Sequence, residues 1–141
     1  MFSVSTWAIP PLGKKYAELF QRAEYLNNLP RHLLAKMAEQ ESNYDPSAES
    51  RAGAQGIMQI VPRWHPGVDP FNVTEAIAYA GALLRKHFNK FGSWQKALAA
   101  YNAGPTKLQT EIDENGVNWL ANMPAETQKY VARISNDVRV V

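Results

Sequence analysis

The sequence predicts a mainly α-helical fold, organised as one domain over residues 1–141. Three observations carry this. Apolar residues recur at helical spacing along nearly the whole chain. No segment alternates apolar and polar residues as a half-buried strand does, and Asn115-Gly116 lacks the flanking strands of a hairpin. No repeat, low-complexity stretch or linker divides the chain, whose 141 residues suit one hydrophobic core.

The first expected helix carries Leu12, Tyr16, Leu19, Ala23 and Leu26 on one stripe. Pro30 suits the first position of a second helix, with Leu33, Leu34, Met37 and Ala38 facing inward. A polar, proline-broken loop follows. Ala54 to Ile60 reads as a short helix stopped by Pro62, and residues 63–71 as a turn-rich connection. Asn72 or Thr74 caps a longer helix with Ile77, Ala80, Leu84, Phe88 and Phe91 on one face, ended by Gly92. Ser93 caps the next, with Trp94, Ala97, Leu98 and Tyr101 at helical spacing, which stops at Gly104-Pro105. A weaker helix passes through Leu108 and Ile112 and ends near Gly116. The last starts at about Pro124 and aligns Thr127, Val131, Ile134 and Val138.

Composition removes several function classes. A hydrophobic content of 45% with 20% charged residues is that of a globular protein, not a disordered one. The net charge is +2 with no basic run or stripe, so no nucleic-acid partner is expected. With no cysteine, disulfides, thiolate catalysis and thiolate zinc sites are excluded. His32, His65 and His87 have no metal-ligand spacing, so neither a metal nor another cofactor is expected, and surface or helix-end positions suit all three. No Gly-x-Ser-x-Gly elbow or phosphate loop is present. No apolar run approaches the roughly 18 residues of a membrane span. The opening MFSVSTWAIPPLGKK has its charges after the apolar stretch, the wrong order for a secretory signal.

One acid stands out. Glu41 lies seven residues after Leu34, four after Met37 and three after Ala38, and so shares their inward face. Glu39 points elsewhere and is expected to be solvated. A carboxylate on a buried face is costly unless paired or protonated. At a helix C-terminus it also meets the negative end of the dipole. Both effects raise its pKa, as a general acid near neutral pH requires. The alternative is a frayed end, or a core ion pair with an arginine. Around it lie the turn cluster Asn43-Tyr44-Asp45-Pro46, the short polar side chains of Ser47, Ser50 and Gln55, and Gly53 and Gly56, which permit close backbone approach. Taken singly, Tyr101 reads as core and Asn102 as a helix C-cap.

Four segments in order resemble the catalytic domain of soluble lytic transglycosylases, goose-lysozyme-like enzymes that cleave peptidoglycan glycan strands. They are Glu41-Ser42, residues 50–59 (SRAGAQGIMQ), residues 99–105 (AAYNAGP) and residues 126–131 (ETQKYV). The resemblance implies a lysozyme-like helical domain with a substrate groove and Glu41 as the catalytic acid/base. It implies that Tyr130 hydrogen-bonds the catalytic carboxyl. It also implies that Ser50, Gln59, Tyr101 and Asn102 bind the glycan and that Met58 lies on the cleft floor, with a plain core role as the alternative for Met58. Ile57 stands for the usual leucine, Val61 for a second methionine, Gln128 for an arginine, and Ala76 and Ala80 for a glycine and a leucine. The connection through Arg63 to Gly67 is short for the family.

Most glycosidases use two carboxyl groups. Asp45 and Glu49 are near Glu41 in sequence, but both read as turn or surface residues. The resemblance implies a route with one. Glu41 protonates the bond between N-acetylmuramic acid and N-acetylglucosamine, and the N-acetyl group stabilises the cationic centre. Glu41 then takes the proton of the muramic C6 hydroxyl, closing a 1,6-anhydro ring. The nucleophile is already part of the substrate, so proximity replaces a water-activating base. The alternatives are a hydrolytic goose-type muramidase and a catalytically silent glycan-binding module. A monomer acting on periplasmic or cell-wall peptidoglycan is expected; its size and the lack of a recognisable export signal point to a bacteriophage lysis enzyme or virion component, with a trimmed bacterial enzyme as the alternative.

Overall fold

The computed structural model describes residues 6–140, so the first five residues of the opening segment lie outside the described residues. Six α-helices are present among the described residues: α1 (Ala17–Leu26), α2 (Leu33–Ser42), α3 (Val73–Phe91), α4 (Trp94–Ala103), α5 (Pro105–Asn115) and α6 (Ala125–Asp137). A 3-10 segment, Pro11–Tyr16, leads into α1, and two more, Gly116–Asn118 and Leu120–Asn122, join α5 to α6. The mainly helical expectation holds; the described residues contain only two isolated β-bridges and no strand. None of the helices is long and apolar enough to cross a membrane.

α3 is the longest helix and packs against α1 and α4, while α4 also packs against α5 and α6, and α2 lies between α1 and α6. Leu33, Leu34, Met37, Ile77, Leu84, Leu98, Leu108, Val131 and Ile134 are fully buried where these helices meet. The caps follow local chemistry. The Asn72 side chain accepts from the Glu75 N–H at 3.0 Å and Ser93 from Lys96 at 3.1 Å. Gly92, at φ 83°, takes the left-handed conformation that closes α3.

Four expectations are corrected. The α1 stripe holds only in its middle: Ala23 is buried and Tyr16 and Leu19 pack partly buried against the core, but Leu12 and Leu26 are 62% and 68% exposed, and Phe20 and Glu24 are buried beside Ala23. The 3-10 segment turns every three residues, so a 3.6-residue period carried through it drifts off the inner face. The second helix begins at Leu33, after a turn in which the Leu33 N–H bonds the Pro30 carbonyl at 3.1 Å. Its start is set by Glu24, whose buried carboxylate accepts from the N–H groups of His32 (3.1 Å), Leu34 (3.0 Å) and Ala35 (3.4 Å). Ala54 to Ile60 is not helical. Gln55 bridges both Glu49 and Ile60, and Gly53, Gly56 and Gln59 have φ of 90°, 76° and 50°, which no right-handed helix admits. His87 is buried within α3, not at the surface.

Candidate active site

The C-terminal end of α2 is terminated by Asn43 and Tyr44, both left-handed, at φ 51° and 64°. Their N–H groups bond back to the carbonyls of Glu39 (2.9 Å) and Ala38 (3.4 Å), and the Tyr44 ring is buried against Phe20. The chain therefore reverses across the helix end instead of leaving it. Ser42 fixes that reversal: its hydroxyl donates to the Ile57 carbonyl at 2.8 Å and accepts from the Asp45 N–H.

The segment so held is built mostly from backbone. Gly56 donates to the Ala48 carbonyl at 2.8 Å, and a Cβ at Gly56 would lie 1.8 Å from the Pro70 carbonyl oxygen. Only glycine fits there. The Gln59 amide donates to the carbonyls of Gly56 (3.0 Å) and Ala48 (3.3 Å), and Ser50 Oγ accepts from the Ala54 N–H at 3.0 Å. Met58 is fully buried, so its side chain is core and its carbonyl is the part that matters locally. That carbonyl accepts the Tyr101 hydroxyl at 2.7 Å, joining the loop to the end of α4.

Glu41 is half-buried at this junction. Burial is the largest influence on its carboxyl and, with the negative charge of Glu126, pushes its pKa up to about 8; Tyr130 opposes them by favouring the charged form. The Tyr130 hydroxyl is buried without a well-formed hydrogen bond, yet it is near enough to Glu41 to act on it. Burial and the Glu41 charge together hold the Tyr101 and Tyr130 hydroxyls well above the usual phenol range, so both remain donors. Asn102 is not a C-cap: its Oδ1 accepts the Thr127 hydroxyl at 2.8 Å and docks α4 on α6.

The structure thus gathers Glu41, Tyr101 and Tyr130 into one cluster, while Ser50, Gln59 and Met58 build the loop beside it. Asp45 and Glu49 remain outside the cluster, Asp45 bonding Ser47 and Glu49 bonding Gln55 in exposed turns. Glu39 is not simply solvated: it pairs at 2.6 Å with the buried Lys36, which also reaches Asp137 at 2.7 Å. Gln128, in the place of the family arginine, donates to the carbonyls of Ala121 (3.2 Å) and Met123 (2.8 Å) and ties α6 to the turn before it. Two acids escaped the sequence reading. Glu24 belongs to the helix start described above. Glu126 acts on Glu41 across the α2–α6 packing, and its place four residues before Tyr130 was the one available signal. Chemically, the cluster offers a carboxyl whose pKa is raised to about 8, with the Tyr130 hydroxyl beside it and the Tyr101 hydroxyl committed to the Met58 carbonyl.

Residues 18–119 match the family model described as the transglycosylase SLT domain. The chain is 29% identical to the soluble lytic murein transglycosylase of Escherichia coli (strain K12), over 84% of this chain and 22% of that protein. It is 27% identical to a transglycosylase of Enterobacteria phage PRD1, over 81% of this chain and 39% of that protein. It is also 33% identical to the peptidoglycan transglycosylase gp16 of Escherichia phage T7, over 77% and 10%. The chain thus spans less than half the length of these relatives. The crystal structure of the 70 kDa soluble lytic transglycosylase SLT70 of Escherichia coli superposes with a TM-score of 0.74 at 27% identity, over 87% of this chain and 24% of that one. The helical architecture is that lysozyme-like fold, and the chain belongs to the transglycosylase SLT domain family.

Proposed function

We propose that this chain, acting as one catalytic domain, cleaves the glycan strands of peptidoglycan by lytic transglycosylation. One observation carries the reading: Glu41 stands half-buried at the C-terminal end of the buried α2 face, where burial raises its pKa to about 8. Glu41 donates its proton to the glycosidic oxygen between N-acetylmuramic acid and N-acetylglucosamine. The N-acetyl group shields the cationic C1, and Glu41, now a carboxylate, takes the C6 hydroxyl proton as O6 bonds C1. A 1,6-anhydro end results, and the acid is restored. Tyr130 steadies the carboxylate formed midway, which is where a hydroxyl donor contributes most. Ser50, Gln59, Tyr101 and Asn102 hold the sugars through groups that the loop and the α4 end present. The bacteriophage relatives support a role in opening the wall during lysis or penetration.

Glu126 favours a second reading, hydrolysis by a goose-type route, because it puts another carboxylate near the acid. Mass spectrometry of fragments released from purified peptidoglycan separates the two. The proposal expects 1,6-anhydro-muramic ends, absent with Glu41→Gln. Reducing ends would establish a hydrolase, and no fragments from folded protein would leave a glycan-binding module.

A further inference from the structure

Residues 61–71, which join the site loop to α3, form a closed loop whose two ends rest on the same segment. At its start, Ile60 exchanges both backbone hydrogen bonds with Gln55, each at 2.9 Å. At its end, the carbonyl of the buried Pro70 lies against Gly56. Compact loops with close ends are held by their own groups, and this one is held along its length. The Trp64 N–H bonds the Val61 carbonyl at 3.1 Å, His65 Nδ1 pairs with the Tyr79 hydroxyl of α3, and Asp69 accepts from the Phe71 N–H at 3.0 Å. Pro62, Pro66 and Pro70 each fix a backbone angle.

This rigid loop presents an indole that the fold does not use. Trp64 is 68% exposed, and the guanidinium of Arg63 lies over its ring, 4.7 Å from the centroid. Arg63 is itself exposed and has no ion pair among the described residues. A large apolar ring held in water by a fixed scaffold suits a binding anchor, because little conformational entropy is lost when a partner docks. Place and chemistry select the occupant. Trp64 is four residues from Ile60 and lies within about 14 Å of it by chain length alone, so a glycan strand of several sugars lying on the site loop reaches it. A pyranose ring offers an apolar C–H face, which stacks on the electron-rich face of an indole. Peptidoglycan strands also carry carboxylates on their peptide stems, and a guanidinium fork pairs with those.

We propose that Arg63 and Trp64 form an accessory subsite for the glycan strand outside the reacting pair of sugars, with Trp64 stacking on a sugar ring and Arg63 binding a peptide-stem carboxylate. The inference rests on the transglycosylase reading above and deepens it by adding a preference for strands that keep their stems. Neither residue lies in the four segments that carry the family resemblance. Neither reaches the bond that breaks, so the effect falls on binding and not on the chemical step.

The test compares kcat and KM on soluble glycan strands that keep their stems and on the same strands stripped of them by an amidase. Trp64→Ala should raise KM about fivefold or more on both substrates with kcat kept, and Trp64→Phe should recover most of the loss. Arg63→Gln should raise KM on stem-bearing strands only. Because both side chains are exposed, both variants should melt with the wild type. An unchanged KM in Trp64→Ala, a fall in kcat without a change in KM, or an Arg63→Gln effect that ignores the stems would overturn the inference. Sedimentation with insoluble peptidoglycan, with Glu41→Gln as the parent of each variant, reads the subsite without turnover. There Trp64→Ala should weaken binding by the same factor. An inactive wild type would signal failure of the transglycosylase reading, whereas equal binding with and without Trp64 would count against the subsite alone.

Discussion

α2 has a buried or half-buried acid at each end, and the two differ in what surrounds them. Glu24 meets the N-terminal end and Glu41 lies at the C-terminal end. Burial dominates both, raising Glu24 to about 7 and Glu41 to about 8. The partners diverge. Glu24 receives three backbone N–H groups, at the helix end whose dipole attracts an anion. Glu41 has no backbone donor among the described residues, stands at the repelling end of the dipole, and faces Glu126 and the two tyrosines. The first acid is saturated by the fold and can only hold it. The second is left unsatisfied and is available to a substrate. On the proposed function, a raised pKa alone therefore does not single out the acid that reacts; the partner set does.

Predictions follow from pressing on each end in turn. Glu24→Gln should cost most in stability, on the order of 3 kcal/mol, because an amide nitrogen cannot accept from the Leu34 and Ala35 N–H groups. Thermal melting reads it, while turnover per folded molecule should change little. Next comes pH. Both acids bind protons more tightly when folded than unfolded, so their contribution is fully present below about pH 4.5 and is lost as pH rises through about 7 and 8. Melting temperature should fall from pH 5 to pH 9, and Glu41→Gln should flatten the upper part of that slope. Tyr101→Phe removes the bond to the Met58 carbonyl, and denaturant unfolding should show a loss of about 1 kcal/mol. The smallest effect belongs to Glu39, the other acid of α2. Glu39→Gln leaves Lys36 its Asp137 partner and should cost less than about 1 kcal/mol, with activity unchanged. A large activity loss there would break the distinction between the two ends.

The two ends were not equally legible in the sequence. α3 to α6 could be read from period and caps, because Asn72, Ser93, Gly92 and Pro105 act through local backbone geometry that the sequence encodes directly. Glu41 could be read for the same reason: an acid on an apolar helical face is a local contradiction. Glu24 could not, since its partners are N–H groups of a different helix, and backbone donors leave no mark on residue type. The 54–60 segment was misread because Gln59 adopts a left-handed backbone that a non-glycine residue gives no sign of. Glu126 was missed because its approach to Glu41 depends on how α6 docks, which Asn102 and Thr127 decide across the α4–α6 contact.

The most direct measurement sets Glu41→Gln beside Glu24→Gln, assaying fragment release from peptidoglycan and melting temperature on the same preparations. The account predicts that Glu41→Gln loses about a thousandfold or more in rate without a drop in melting temperature. Glu24→Gln should melt roughly 10 °C lower, yet cleave at a near-normal rate while folded. Normal cleavage by folded Glu41→Gln would contradict the account.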